Sequence, residues 1–133
     1  MRLESKIGTI GNSDEKIYNF LSNFKNFEHL IPKERVRNLE VDDDSCSFSV
    51  DPIGSMGVKI AEKEPYKLIK LSSKEDSRFD FSFWVQIKKA GDELSHIKLT
   101  LDAKINPMIQ MMVKKPAQEF LDKLVDQMAE LPY

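Results

Sequence analysis

The sequence predicts an α+β domain made of one strand, two short helices, about six consecutive strands and a long closing helix. Between Val36 and Ile105, apolar residues alternate with polar ones, which is the period of a strand with one buried face. In residues 12–31 and 106–131 the apolar residues recur at i, i+3 and i+4, the period of an amphipathic helix. The chain has 133 residues, which fits a single domain spanning 1–133.

The opening segment predicts a strand followed by two short helices. Arg2–Ile10 alternates apolar and polar residues, as in a half-buried strand. Asn12 is expected to cap the first helix, with Glu15 returning a hydrogen bond in a capping box. A second short turn of helix should end at Pro32, because proline removes a backbone amide donor and disfavours a helical conformation in the residue before it.

The six strands that follow are separated by turn-forming segments at hairpin spacing, which implies an antiparallel meander. These turns are expected at Asp42–Ser45, Asp51–Gly57, Glu64–Pro65, Glu75–Arg78 and Lys89–Glu93. Within the second turn, the GSMG stretch Gly54–Gly57 is a candidate for a flexible lip over a cavity mouth.

The closing helix should begin at Asn106-Pro107, an N-cap residue followed by proline at the first helical position. Its interior Pro116 predicts a kink or break. The apolar residues before and after Pro116 point in directions that differ by roughly 130°, so a straight helix could not bury both sets against one surface. The earlier set contains Met108, Met111 and Met112, which suit either irregular core packing or an adaptable cavity wall.

Composition excludes several classes of function. The 20 Lys+Arg against 22 Asp+Glu give a net charge of −2, which argues against a nucleic-acid partner. With Cys46 as the single cysteine, an intramolecular disulfide and a thiolate metal cluster are excluded. No segment has the length and apolarity of a membrane span or of a signal-peptide core, so we expect a protein that is not membrane-spanning and is cytoplasmic. We expect no cofactor and no metal, since Asp42–Asp44 lacks the ligand spacing of a calcium loop.

No catalytic set of residues is visible. The two histidines, His29 and His96, accompany no nucleophile-elbow motif. Ser5, Thr9 and Glu62 share the inward phase of their strands, and Glu62 is the best available candidate for a buried acid or base.

Two further residues suggest other roles. Cys46 alternates in phase with apolar neighbours, so it should face inward as a small hydrophobic residue. Trp84 lies on the opposite, polar face of its strand, where it could serve as a partner contact or as the interface of a homodimer.

Four stretches together resemble a known family. They are SDEKIYNFLSNFKNFEHLIP, EKEPYKLIKLSS, FDFSFWVQI and NPMIQMMVKKPAQEFLDKLVDQM, and the similarity extends over Leu3–Leu131. Their order resembles the START-like, or polyketide cyclase/START-like (SRPBCC), superfamily with its helix-grip fold. The resemblance implies a curved seven-stranded antiparallel sheet that wraps around the C-terminal helix, with two short helices between strands 1 and 2. It also implies an apolar cavity for lipids, sterols, polyketides or similar molecules.

The leading hypothesis is therefore a binding or carrier protein for a small hydrophobic ligand held between the sheet and the C-terminal helix. The alternatives are a cyclase- or aldolase-type enzyme that uses the same cavity, and a protein-interaction module whose cavity is filled. The expected cavity lining comprises the inward-facing apolar residues Phe24, Phe48, Val50, Met56, Val58, Ile60, Leu71, Phe81, Phe83, Leu99, Leu101, Met108, Met111 and Met112.

Overall fold

The structure is a computed structural model that describes residues 1–30, 34, 36–50, 54–75, 77–131 and 133, with the backbone alone described at 27–29. Eight strands and two α-helices are present in this part of the chain, together with a 3₁₀ helix. Their bounds are β1 Arg2–Glu4, β2 Gly8–Ile10, α1 Asp14–Leu21, the 3₁₀ helix Phe24–His29, β3 Val36–Val41, β4 Ser45–Val50, β5 Gly54–Glu64, β6 Leu68–Ser73, β7 Phe81–Gly91, β8 Leu94–Ala103 and α2 Pro107–Glu130.

The strands form one curved antiparallel sheet in the order β1-β8-β7-β6-β5-β4-β3, and β2 also pairs with β8. Because β1 and β2 lie one after the other along β8, they occupy a single position at the sheet edge. The sheet therefore has seven strand positions, as predicted, and the predicted α+β class is confirmed.

The first predicted strand is divided by an extra residue. Leu3 pairs with Leu101 and Gly8 with Ile97, so five steps along the edge strand face four steps along β8. At the division, the Ser5 hydroxyl accepts a hydrogen bond from the Leu99 amide at 2.9 Å and donates one to the Lys6 carbonyl at 2.7 Å. The extra residue reverses the side-chain phase, as a bulge does.

The cap of α1 lies one residue later than predicted. The Ser13 hydroxyl accepts a hydrogen bond from the Lys16 amide at 3.2 Å, so Ser13 is the N-cap. The backbone carbonyl of Asn12 instead accepts a hydrogen bond from the buried Ser95 hydroxyl. The predicted capping box of Asn12 with Glu15 is therefore wrong, and Ser13 supplies the hydroxyl that a helix N-terminus requires.

Helix α2 begins as predicted, because the Asn106 side chain accepts a hydrogen bond from the Ile109 amide at 2.9 Å and Pro107 is the first helical residue. It then continues without a break through Pro116 to Glu130. The predicted break is therefore absent, whereas a kink at Pro116 stays a prediction, and one side of this single helix faces the sheet. That side comprises Val113, Ala117, Leu121, Leu124, Val125 and Met128, all buried.

Polar contacts and one close approach hold α2 on the sheet edge. The Lys6 ammonium lies 2.5 Å from the Asp126 carboxylate, and the Lys6 amide donates a hydrogen bond to Asp122 at 2.8 Å. A Cβ on Gly8 would lie 2.5 Å from the Val125 side chain, so glycine allows the helix to cross β2 closely.

The structure describes only the second part of the predicted turn Asp51–Gly57. Residues 51–53 lie outside the described residues, whereas Gly54 already begins β5. In this strand Gly54 pairs with Val50 and Met56 with Phe48. The expected flexible lip at Gly54–Gly57 is thus wrong, because these residues belong to the paired sheet. Within the ranges that the structure describes, no helix combines the length and apolarity needed to cross a bilayer.

Candidate functional site: an apolar cavity between the sheet and the C-terminal helix

A cavity of about 90 Å³ lies between the inner face of the sheet and the C-terminal half of α2. Its wall combines residues of five strands, one helix and the end of the 3₁₀ segment. The lining residues are Leu30, Cys46, Phe48, Val50, Met56, Val58, Leu71, Phe81, Phe83, Leu101, Ala117, Phe120, Leu121, Leu124 and Met128.

Strand pairing places the sheet side of this wall. Cys46 lies opposite Val58 on the neighbouring strand. Farther along the sheet, Leu71 lies opposite Phe83, which in turn lies opposite Leu101. Directly opposed residues of antiparallel strands project to the same face, so these side chains meet on the inner face that α2 covers.

Eight of the fourteen residues expected to line a cavity are in this wall. They are Phe48, Val50, Met56, Val58, Leu71, Phe81, Phe83 and Leu101. Phe24 and Leu99 are fully buried in the core, and Ile60 packs against the core, but none of these three borders the cavity. Contact of the eight with a ligand stays a prediction.

The three remaining residues, Met108, Met111 and Met112, lie outside the cavity. Their side chains are 77%, 87% and 67% exposed. Since α2 continues through Pro116, the apolar side that begins near Val113 meets the sheet and the methionines face away from it. The expectation that they line the cavity is therefore corrected.

The helix side of the wall consists of residues after Pro116 that the expected lining did not include. Ala117, Leu121, Leu124 and Met128 recur at i, i+4, i+7 and i+11, the most regular apolar spacing in α2. This regular spacing in the sequence could have indicated which side of α2 faces the sheet. Phe120 and Leu30 were also missed as lining residues.

The described part of the cavity wall is almost entirely apolar. Its fifteen described residues have apolar side chains or, in Cys46, a thiol. Burial raises the pKa of the Cys46 thiol to about 12, against a smaller lowering by the charge of Lys74. The thiol is therefore protonated near neutral pH and is a poor nucleophile. Among the described residues, no buried side-chain nitrogen or oxygen lacks a hydrogen-bond partner.

Glu62, the proposed acid or base, is exposed to solvent. Ile60 pairs with Leu71 and Glu62 with Lys70, so Ala61 is an extra residue in β5. This bulge moves Glu62 to the outer face, although it shares the sequence phase of Ile60. The expectation of an inward Glu62 is therefore wrong.

The other polar candidates are also remote from the cavity. Ser5 is buried but uses its hydroxyl in the backbone contacts at the divided edge strand. Thr9 is exposed, and its hydroxyl lies 3.2 Å from Nδ1 of His96. The side chain of His29 lies outside the described part of the chain. Across the ranges described, no three carboxylate, imidazole or thiol groups gather as they would around a metal ion.

Trp84 lies on the outer face of the sheet, between positively charged neighbours. The guanidinium carbon of Arg2 is 5.9 Å from the ring centroid, and the Lys70 ammonium is 5.5 Å from it. Both distances suit cation–π attraction, which contributes about 0.5–1 kcal/mol at exposed sites. These contacts give Trp84 a role within the chain, and its use as a homodimer or partner contact stays a prediction.

Solved structures share this arrangement over nearly the whole chain. A START superfamily protein from Mycobacterium smegmatis aligns with a TM-score of 0.74 at 16% identity, covering 96% of this chain and 94% of the other. The chain has the START-like, helix-grip fold.

Other structures with this START-like fold include an enzyme and a protein named only as conserved. Norcoclaurine synthase from Thalictrum flavum aligns with a TM-score of 0.75 at 14% identity, covering 98% of this chain and 84% of the synthase. A conserved protein from Geobacillus kaustophilus aligns with a TM-score of 0.69 at 11% identity, covering 98% and 93%. The sequence matches no protein-family model and no curated protein. At these identities the likeness concerns the fold, and the fold alone does not select a function.

Proposed function

We propose that this protein binds a small hydrophobic molecule in the cavity between the sheet and α2, and that it acts as a binding or carrier protein. The observation that supports this most is the chemistry of the wall, because the fifteen described residues that line it are apolar or carry a protonated thiol. Ligand sites for apolar molecules are concave and mainly hydrophobic.

An empty space of this kind costs stability and does not suit water. At about 24 cal/mol per Å³, a void of about 90 Å³ costs roughly 2 kcal/mol. A buried water needs two to four polar partners, and the described wall residues offer one thiol. An apolar guest would therefore recover packing energy without displacing hydrogen-bonded water.

The volume limits the guest. Pockets for drug-sized ligands measure about 300–1,000 Å³, several times the present volume. A short acyl chain or a single ring suits the cavity as it stands, whereas a whole sterol or polyketide needs the wall to move. Some described lining residues are half-buried and reach solvent, so their side chains have the most freedom to move. They are Phe48, Met56, Phe83, Leu101 and Phe120.

The enzymatic alternative has less support. Norcoclaurine synthase shares the fold and is an enzyme by name. Yet acid–base catalysis requires a titratable group within reach of the substrate. Among the described residues of the cavity wall, the one titratable group is the Cys46 thiol, which burial keeps protonated, and Glu62 faces solvent.

We extend the proposal to the whole chain, as one START-like domain over 1–133 in the cytoplasm. Alignments that cover 96–98% of this chain support the domain assignment. The cysteine is free and buried, which suits a reducing compartment.

Titration with a short-chain fatty acid as the probe, followed by native mass spectrometry, tests the proposal. The decisive variant is Ala117→Leu, which fills the cavity without removing any part of its wall. Ala129→Leu is the matched control, because it makes the same change at an exposed position of the same helix. We expect the wild type and Ala129→Leu to bind the probe and Ala117→Leu to lose it. Absence of probe binding by the wild type, or equal binding by all three proteins, would refute the proposal.

A further inference from the structure

The first turns of α2 expose apolar side chains where a surface helix normally presents polar ones. Met108, Met111 and Met112 occupy i, i+3 and i+4, so they form one continuous strip. At 100° per residue they lie about 100–160° around the helix from Val113, which is buried against the sheet. Ile7, Tyr66 and Leu94 are the other large apolar residues exposed in the described part of the chain, and none of them belongs to this strip. A continuous apolar strip on a surface marks an interaction site.

Lysines flank this strip along the chain. The twelve residues from Lys104 to Lys115 contain three lysines and no acidic residue. All three lysines are exposed. Within the ranges described, none of their ammonium groups lies within 4.0 Å of a carboxylate. The chain has a net charge of −2 and this stretch contributes +3, so the remaining residues carry −5. The positive charge is thus local to the Met–Lys patch, defined as Met108, Met111, Met112, Lys104, Lys114 and Lys115.

Lys115 completes the strip itself, since it lies seven residues after Met108 and one turn beyond Met111 and Met112. Asp80 borders the patch at one end, where its backbone carbonyl accepts a hydrogen bond from the Lys104 amide. Glu119 ends the strip at the other, one turn beyond Lys115. Apolar side chains flanked by lysines are typical of helices that lie in the interface of a bilayer.

We propose that the Met–Lys patch docks on the surface of an anionic lipid bilayer, with the methionines inserted at the boundary between headgroups and acyl chains. Lysines near such a surface each strengthen binding about fivefold. A second copy of the chain fits the patch less well, because a twofold contact would bring the unpaired lysines of both copies together. This docking goes beyond ligand binding in the cavity and does not depend on it.

The patch nevertheless lies close to the cavity. Ala117 is in the cavity wall and stands five residues after Met112, which corresponds to about 7.5 Å along the helix axis. The patch and the cavity wall are therefore separated by less than two helical turns along α2.

Co-sedimentation with lipid vesicles tests the proposal, using phosphatidylcholine with and without phosphatidylserine. The first variant replaces all three methionines, Met108→Gln, Met111→Gln and Met112→Gln, since glutamine preserves helix propensity. The second combines Lys114→Gln with Lys115→Gln. The control is Ile7→Gln, because Ile7 is 67% exposed, as Met112 is, but lies outside the patch. Far-ultraviolet circular dichroism establishes that each variant is folded.

We expect binding to phosphatidylserine vesicles that weakens with added salt. It should fall at least about tenfold in the methionine variant and about 25-fold in the lysine variant. The Ile7→Gln control should bind as the wild type does. Absence of vesicle binding, or equal binding by all four proteins, would overturn the proposal. So would concentration-dependent dimerisation of the wild type that the methionine variant loses, because a second copy would then cover the patch.

Discussion

Filling the cavity should stabilise the ligand-free protein. Ala117 is 3% exposed and borders the cavity, so Ala117→Leu adds three carbon atoms to a space of about 90 Å³. Each buried methylene contributes about 0.8 kcal/mol, which sets an upper limit of about 2.4 kcal/mol. The cost of the void, roughly 2 kcal/mol, gives a similar limit. Imperfect fit lowers both limits, so we expect the free energy of unfolding to rise by about 1–2 kcal/mol.

Urea unfolding followed by the fluorescence of Trp84 provides the assay, since Trp84 is the single tryptophan. It lies on the outer face of the sheet, whereas the substitution is on the inner side. The midpoint should rise while the slope stays constant, because the surface exposed on unfolding hardly changes. Ala129→Leu should change stability by no more than about 0.5 kcal/mol, as exposed substitutions do.

The stability of Ala117→Leu also distinguishes an empty cavity from a space that side chains already fill. If the space were already filled by side chains, Ala117→Leu would overpack it and cost about 1–3 kcal/mol. That outcome would refute the reasoning. A ligand at a hundred times its dissociation constant should stabilise the wild type by about 2.7 kcal/mol. It should leave Ala117→Leu unchanged.

Three further changes probe other parts of the account. Burial raises the pKa of the Cys46 thiol from 9.0 to about 12, so its contribution to stability is complete below pH 9 and falls as the pH rises toward 12. Between pH 9 and 12 the wild type should therefore lose more free energy of unfolding than Cys46→Ala. Equal losses would contradict the burial of this thiol. Pro116→Ala should raise the free energy of unfolding in urea by about 1–3 kcal/mol, because the helix is continuous there and alanine restores a backbone amide donor. A loss of stability would show that the packing of α2 requires the backbone geometry of proline. Gly8→Ala should lower the free energy of unfolding by about 1–3 kcal/mol, because its Cβ would lie 2.5 Å from the Val125 side chain. Gly11→Ala is the control, because its Cβ would meet no atom within 4 Å, so it should lower the thermal midpoint much less. Similar midpoints for the two variants would contradict the close packing of α2 on β2.

The central strands could be predicted because their hairpins maintain a constant side-chain phase. In β4, Phe48 and Val50 alternate with polar residues, and Phe83 lies in a similar stretch of β7. All three face the inside of the sheet, as expected. Where one extra residue enters a strand, the alternation of the sequence no longer corresponds to the faces of the sheet. This explains why the edge strand near Ser5 and the strand around Glu62 were assigned to the wrong faces beyond those points.

The helix side of the site was misassigned for a different reason. An interior proline ordinarily kinks or ends a helix, so two apolar stripes on either side of Pro116 suggested two buried surfaces. The helix continues through Pro116, and its buried residues lie along one stripe that faces the sheet. The stripe that begins at Ala117 faces the sheet, and Met108, Met111 and Met112 remain at the surface. Sequence alone does not show whether a proline-containing helix continues, because neighbouring structure determines whether the lost hydrogen bond is tolerated.

The central claim is that an apolar molecule enters the cavity, and the methionine methyl groups report on it directly. Met56 and Met128 line the cavity, whereas Met108, Met111 and Met112 are exposed on the Met–Lys patch. In a methyl-labelled NMR spectrum recorded during titration with a short-chain fatty acid, the signals of Met56 and Met128 should shift and saturate. The signals of the three exposed methionines should stay in place. Shifts confined to the exposed methionines, or no saturable shift at Met56 and Met128, would contradict binding in the cavity.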